Sequence, residues 1–525
     1  FDSSSKIPSG ILIGNNEDLG IYDECVSIEI QKEIGLIRGR HCMYSLTMMA
    51  SSWPMPLHTT LSICLPSACG AQSLMAILQN ASHEASDQLP FDIRMGNAAC
   101  SALDSPPFEV GEILTITIFS IFICFLIGCT ICDILMRTII HVDPESVVNE
   151  FCRFSFYTNL KRIFSTKEPR ENIPAIQGLR FFSLCWVILG HEYGLKMLGP
   201  TINMEDIPSV RHQNQIWMQS WRSIYIALAP FAVDTFFTLS GFLISYLFLK
   251  KMAKGQTFNP VMYYLHRYIR LTPAFAALIL LTIYIFPRWG SGALWESLVY
   301  QERKTCQENW WPMLLYVHNY VNAGIMGCLT HTWYLAVDMQ LFWISPLILY
   351  PLAKRPNIGL AILVALIVAS IISPAVIAAE HEFSGAVAPS LIEIFQQDGY
   401  KWNAPWEIFY TAVARHIWAF GVCWLIYASI LGYGGIVGRI LSLPIFMPFG
   451  RISYCVYLIH FMMQLMRIGA TRTLVSNPTV SFGHLGEQSH AKQPGPLTSF
   501  DEYAGLTREH STIRDRTEQI SELRP

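Results

Sequence analysis

The sequence predicts an all-α polytopic membrane helical bundle with a small disulfide-stabilised extracytoplasmic N-terminal domain. Three observations carry that expectation. Of the 525 residues, 52% are hydrophobic and only 14% are charged, whereas soluble domains run near a quarter charged. Apolar stretches of the length a bilayer requires, about 20 residues, recur along the chain. Finally, Cys25, Cys42, Cys64, Cys69 and Cys100 gather in a polar first hundred residues, a pattern that suits disulfides on the oxidising side of a membrane.

Residues 1–107 read as the separate domain. AQSLMAILQN is compatible with a helix, but apolar content is too low for a generous core, so disulfides are expected to stabilise it by restricting the unfolded chain. Five cysteines leave one without a partner. Asn80-Ala81-Ser82 is a usable glycosylation sequon in the same region. Phe1 is not an initiator Met and no basic-then-apolar segment opens the sequence, so the N-terminus is expected to be processed or truncated.

Candidate spans lie near 108–131, 177–198, 228–249, 271–287, 332–353, 357–379, 406–430 and 452–470. WWPMLLYVHNYV (310–321) suits an interfacial element better than a span. LSLPIFMPFG (441–450) suits a re-entrant segment or a broken helix shielded by protein. A basic connector, 132–176, follows the first span. Its lysines and arginines, with Lys250, Lys251, Lys254, Arg267, Arg270, Lys354, Arg355, Arg439 and Arg451, fall on one side if the cysteine-rich region lies on the other. The positive-inside rule makes that side cytosolic. Cys306 and Cys328 then flank a loop on the oxidising side. The N-terminal domain is expected to be extracellular or lumenal, at the plasma membrane or the endoplasmic reticulum.

Polar residues at membrane depth are costly and usually face a bundle interior or a cavity. Arg180 and His191 stand about 16 Å apart along one helix and face nearly the same way. Anchoring at phosphate headgroups is the alternative reading for Arg180. Asp234, Ser240 and Gly241 share the span AVDTFFTLSGF, where small-residue packing competes with catalysis for Ser240. Asp338 enters from the outer side to a depth comparable with His191. Arg415 either reaches the outer surface or pairs with an acid such as Asp338. Arg267 and Arg270 are either positive-inside anchors or a seat for a phosphate-bearing donor. His460 ends RISYCVYLIHF with its role open.

No Walker-type loop, His-Glu-x-x-His helix or Cys-x-x-Cys pair with metal-ligand context is present, so no metal site is expected. A net charge of -3 gives no reason to expect a nucleic-acid partner. Arginines at the cytosolic mouth and a histidine with acids deeper in suit acyl transfer from a coenzyme A thioester. His191 would take the acceptor's proton, Asp234 or Asp338 would orient the imidazole, and Ser240 or an arginine would stabilise the oxyanion. A transporter for lipids or lipophilic compounds could use the same buried charges.

The segments Arg180-x10-His191, AVDTFFTLSGF, HRYIRLTP, WYLAVDMQLFW and RISYCVYLIH, with the cysteine-bearing N-terminal region, resemble the membrane acyltransferase type 3 family. Within it, the chain is similar to animal, insect-like members of the nose resistant to fluoxetine group, from residue 10 to about 470. The resemblance implies an acyltransferase-like core over 177–476, with no permanently bound cofactor and a cytosolic acyl-CoA donor. The implied acceptor is a hydroxyl on a lipid, glycan or small molecule. His191 would be catalytic and Arg180 donor-binding, joined less firmly by Asp338 and Arg415. Residues 477–525 depart from the family pattern, which continues into at least one further span, and form a polar tail.

Overall fold

The computed structural model describes residues 2–6, 15–33, 35–49, 57–86, 92–102, 107–140, 153–167, 173–196, 199, 224–321, 327–381 and 404–474. The polar tail therefore lies outside the described residues.

The N-terminal domain is built on an antiparallel sheet, which the sequence reading did not anticipate. After a short helix α1 (Tyr22–Ser27) come β1 (Glu29–Lys32), β2 (Gly35–Met49), β3 (Leu57–Pro66), α2 (Ala71–Ser86) and β4 (Asp92–Ala102). Strand β2 is central: β3 and β4 flank most of its length, and β1 returns on its first residues. Two disulfides hold the sheet, Cys25–Cys64 and Cys42–Cys100, the second between directly paired residues of β2 and β4. Cys69 carries no disulfide. The expected helix is α2, which packs on β4.

The helical part comprises α3 (Val110–Leu135), α4 (Phe156–Ile163), α5 (Pro174–Lys196), α6 (Pro230–Ala253), α7 (Pro260–Leu280), α8 (Gln301–Leu314), α9 (Trp333–Lys354), α10 (Pro356–His381), α11 (Ala404–Ile430), α12 (Gly435–Leu441) and α13 (Phe446–Gly469). Local chemistry sets several starts. Glu109 and Glu112 form a reciprocal capping box on α3. Asn259 accepts from the Met262 N–H at 3.2 Å ahead of Pro260. Among the described residues, six helices are long and apolar enough to cross a membrane: Val110–Thr138, Ile224–Ala253, Pro260–Arg288, Thr330–Lys354, Pro356–His381 and Pro405–Ile430. The protein is integral to a membrane.

The proline-rich stretch at 441–450 breaks a helix. α12 and α13 meet at a bend of 67°, across Pro444, which has no N–H to continue the ladder. Counted as one span, this pair makes a seventh. Helix α5 has spanning length at 23 residues but is less apolar, because it keeps Gln177, Arg180, Ser183, His191 and Glu192. It tolerates them because neighbouring helices replace lipid around it: Ala175, Ile176, Gly178, Ser183, Leu184, Val187 and Leu195 are buried. The contrast is α10, whose apolar window has no buried residue at all.

Glycines let other backbones approach α5. A Cβ on Gly178 would meet the Leu441 carbonyl oxygen at 2.3 Å, and one on Gly190 would meet the Ala229 Cβ at 2.7 Å. α5 and α13 thus run side by side through the main core with Leu184, Val187, Tyr457, Leu458, Met462 and Leu465.

The segment after α7 joins the sheet domain to the bundle. Leu19, Tyr22, Val26 and Met43 cluster with Ala293. Arg472 lies over the Tyr22 ring at 4.4 Å and pairs with Asp23 at 3.0 Å. Further along, Cys306 and Cys328 form the expected disulfide. Beside it, buried Leu329 adopts φ 45, a left-handed conformation that costs a branched side chain energy. Its N–H donates to Glu302 Oε1 at 2.5 Å. Burial pushes the Glu302 carboxyl up to about 7, against the opposing pull of that N–H. The folded state therefore binds the proton more tightly than the unfolded chain. Its contribution is fully present below about 4.5 and is lost as pH rises through about 7, worth about 3 kcal/mol in all. Thermal unfolding in detergent should show a midpoint that falls between pH 5 and pH 8. In Glu302→Gln that slope should flatten.

Candidate active site

His191 is placed by Gly190, whose close contact with Ala229 seats this turn of α5 against the start of α6. Its Nδ1 lies 2.9 Å from His460 Nε2 on α13. His460 in turn places Nδ1 2.6 Å from the Tyr457 carbonyl oxygen. A carbonyl only accepts, so His460 carries its proton on Nδ1, and Nε2 of the neutral ring is an acceptor. The hydrogen in the His191–His460 bond then belongs to His191 Nδ1, which leaves His191 Nε2 with a bare lone pair. A backbone carbonyl on one helix thus sets the tautomer of a histidine on another.

A third imidazole completes the group. His331, in the helical turn Thr330–Thr332 ahead of α9, is buried. Its ring lies 5.2 Å from that of His460 and 6.2 Å from that of His191. Nε2 faces the Leu458 carbonyl at 3.3 Å, and the Tyr457 hydroxyl donates to the His331 carbonyl at 2.5 Å. The Phe461 ring stacks on His331 at 4.8 Å and meets His191 edge-on at 5.6 Å.

The carboxylates take a different place from the one expected. Asp338 pairs with Arg267, which also donates to Ser240 at 3.4 Å and lies over the Phe342 ring at 4.4 Å. Asp234 pairs with Arg415 at 3.0 Å. Arg415 therefore finds an acid, but it is Asp234 and not Asp338. Neither carboxylate is a hydrogen-bond partner of His191 among the described residues. The orienting group is His460, because a neutral imidazole anchored by a carbonyl accepts from Nδ1 without burying a further charge. Ser240 and Arg267 belong to the Asp338 network, so Arg267 is not free at the mouth of the bundle. His416, beside Arg415, is satisfied by Ser370 at 2.8 Å and the Ala412 carbonyl at 3.0 Å.

Arg180 and Arg270 are otherwise. Neither has a hydrogen bond or an ion pair among the described residues, and Arg270 is near enough for its charge to act on Arg180. Arg180 is partly buried and Arg270 exposed. Arg180 stands in the first half of α5, about 16 Å along that helix from His191. Two guanidiniums in each other's field without a counter-charge form a place that favours an anion.

His331 was not singled out from sequence, although it stands directly ahead of the span expected from residue 332. The signal available was its apolar context one turn before a span. Glu302, Cys306 and Cys328 also converge within 4.8 Å, but the two sulfurs are bonded to each other and cannot serve as thiolate ligands.

Comparison with known proteins agrees with this division of the chain. The description "Nose resistant-to-fluoxetine protein, N-terminal domain" matches residues 1–78, and "Acyltransferase domain" matches residues 173–388. The second match includes Arg180, His191, Asp234, Ser240, Arg267, Arg270, His331 and Asp338, whereas Arg415 and His460 follow it. Nose resistant to fluoxetine protein 6 of Caenorhabditis elegans is 23% identical over 89% of this chain and 72% of its own length. Regulator of hypoxia-inducible factor 1 of the same organism is 23% identical over 45% of each chain. Peptidoglycan O-acetyltransferase OatA of Listeria monocytogenes is 25% identical over 38% of this chain and 28% of its own length. No solved structure matches the chain. The first of the two domain matches falls on the sheet domain and the second on the helical bundle, so the chain is similar to nose resistant-to-fluoxetine N-terminal domains over the one and to acyltransferase domains over the other.

Proposed function

We propose that the chain moves an acyl group from acyl-CoA to a hydroxyl of a lipid, glycan or small molecule, with His191 as general base. The observation that carries this reading is the bare Nε2 of His191, fixed by His460 and the Tyr457 carbonyl. Only an unprotonated nitrogen held in place can take a hydroxyl proton as the oxygen attacks. The acceptor oxygen bonds to the thioester carbonyl carbon, the carbon–sulfur bond breaks, and the proton passes through His191 to the departing thiolate. Ester and free coenzyme A result.

Arg180 and Arg270 favour a donor entering from the opposite end, where their uncompensated charge suits the phosphates of coenzyme A. The positive-inside rule puts that end in the cytosol and the sheet domain outside. The relative named an O-acetyltransferase favours transfer to oxygen.

The test is acyl transfer from radiolabelled acyl-CoA by the full chain in nanodiscs, across a panel of hydroxyl acceptors. Arg180→Ala should raise the donor KM about tenfold, as loss of one charge-assisted contact would, with little change in acceptor KM. Saturable uptake of a lipophilic solute by proteoliposomes lacking any donor, with no transfer under any condition, would reject the enzyme reading for the carrier.

A further inference from the structure

A cavity of about 1390 Å³ lies between the sheet domain and the helical bundle. Its wall on the sheet-domain side includes Gln72 and Met75 of α2 and Asn97 of β4. Its wall on the bundle side includes Glu302, Leu465 and Phe461. Phe461 is the ring that stacks on His331 and meets His191 edge-on. The cavity therefore ends one aromatic ring away from the proposed base.

Its chemistry restricts what it can hold. Arg303 in the lining is already paired, with Glu109 at 2.6 Å and Glu112 at 3.6 Å. Glu302 is engaged by the Leu329 N–H, and burial holds its carboxyl toward the neutral form. The guanidinium of Arg40 donates to the Cys69 carbonyl at 3.3 Å. Glu296 in the lining is partly buried without a side-chain hydrogen bond or ion pair among the described residues, and burial pushes its carboxyl up toward the neutral form; the buried lining thus disfavours a strongly ionic ligand. The floor by Leu465 and Phe461 is apolar, whereas Gln72, Asn97 and Glu302 offer hydrogen bonds above it. The volume exceeds the roughly 300–1,000 Å³ typical of drug-sized sites.

We infer that this cavity is the acceptor site, taking an uncharged hydroxyl-bearing amphiphile of lipid size, with the N-terminal domain forming the wall that selects it. The inference rests on the acyl-transfer reading for its chemistry but not for its binding step. The sheet domain is then part of the substrate site and not a separate module. Acceptor and donor enter from opposite ends of α5, and Phe461 stands between the acceptor and the imidazole.

The experiment uses the full chain in nanodiscs and a diazirine-bearing monoacylglycerol as the probe. Photolabelling should fall on the peptides carrying Met75 and Leu465 and be competed by unlabelled monoacylglycerol. In Met75→Trp, which fills the wall, labelling should drop at least tenfold and the acceptor KM should rise by a similar factor. Asn97→Trp, on an exposed strand position, should act in the same direction without touching the core. Ile77→Trp, on the exposed face of α2, should change neither. Labelling confined to lipid-facing α10, or an unchanged KM in both wall variants, overturns the acceptor site. Competed labelling in the cavity without transfer in the unmodified chain supports the site and overturns the enzyme reading instead.

Discussion

Replacing His191 by alanine should lower acyl transfer by about 10²–10⁴-fold, the range that a positioned general base supplies, with folding and membrane insertion unchanged. The loss should fall on kcat, because the imidazole acts on the proton in flight and contributes little to holding either substrate. Full retained activity would remove the proposed mechanism. The same assay on His460→Ala separates a base from its support. Without His460, Nδ1 of His191 loses its acceptor, and the ring is free to rotate or to hold its proton on Nε2. Transfer should drop about 10-fold or more, the scale on which outer partners of a functional histidine act. The pH–rate profile should move, because the base that remains no longer has its tautomer fixed. A purely structural role for His460 would lower the amount of folded protein and leave that profile in place. His460→Gln keeps an acceptor near Nδ1 and should recover part of the activity.

How much of this site was legible beforehand follows from the reach of each signal. Arg180 and His191 stand on one helix, and eleven steps of helical rotation suffice to put them on one face. His460 is 269 residues away from His191 along the chain, and no periodicity links positions on different helices. Its presence at depth was visible, but its task was not. The same limit explains the exchanged acids. Both arginines needed carboxylates, and depth alone made Asp338 the natural partner of Arg415. The structure gives Asp338 to Arg267 and Asp234 to Arg415: α6, which carries Asp234, packs against α11, which carries Arg415, whereas Asp338 on α9 meets Arg267 of α7. The sheet was hidden for a different reason. GLIRGRHCMYSLTMM has no sustained alternation, and its burial follows both faces of a central strand, so the period-2 signal is lost. The amphipathic AQSLMAILQN, by contrast, was readable as a helix. The proline-rich 441–450 break was readable too, since proline acts locally.

Removal of the Glu112 carboxylate should be the most destabilising single change outside the site. Its side chain is fully buried; Oε2 accepts from Arg288 at 2.6 Å and from the Glu109 N–H at 2.9 Å, which caps α3, while Oε1 lies 3.6 Å from Arg303. Arg288 and Arg303 are themselves only 17% and 9% exposed. Glu112→Ala leaves two nearly buried guanidiniums without the carboxylate they share, a change that costs about 3–5 kcal/mol, and it also deletes half of the capping box, about 1 kcal/mol. Thermal unfolding in detergent should report the loss. Glu112→Gln, which keeps an acceptor but not the charge, should fall between. Asp92→Ala is the contrast: Asp92 and Arg94 are 51% and 70% exposed, so solvent screens the pair and the change should stay under about 1 kcal/mol. Neither glutamate stands out in the sequence, since Arg288 and Arg303 are nearly two hundred residues distant. Physically the two glutamates dock the first span onto 288–303, the segment that also walls the cavity. Glu112→Ala should therefore raise the acceptor KM even at temperatures where the chain remains folded, whereas Asp92→Ala should not. Equal effects of the two substitutions on stability would show that the buried network is as well solvated as the surface pair.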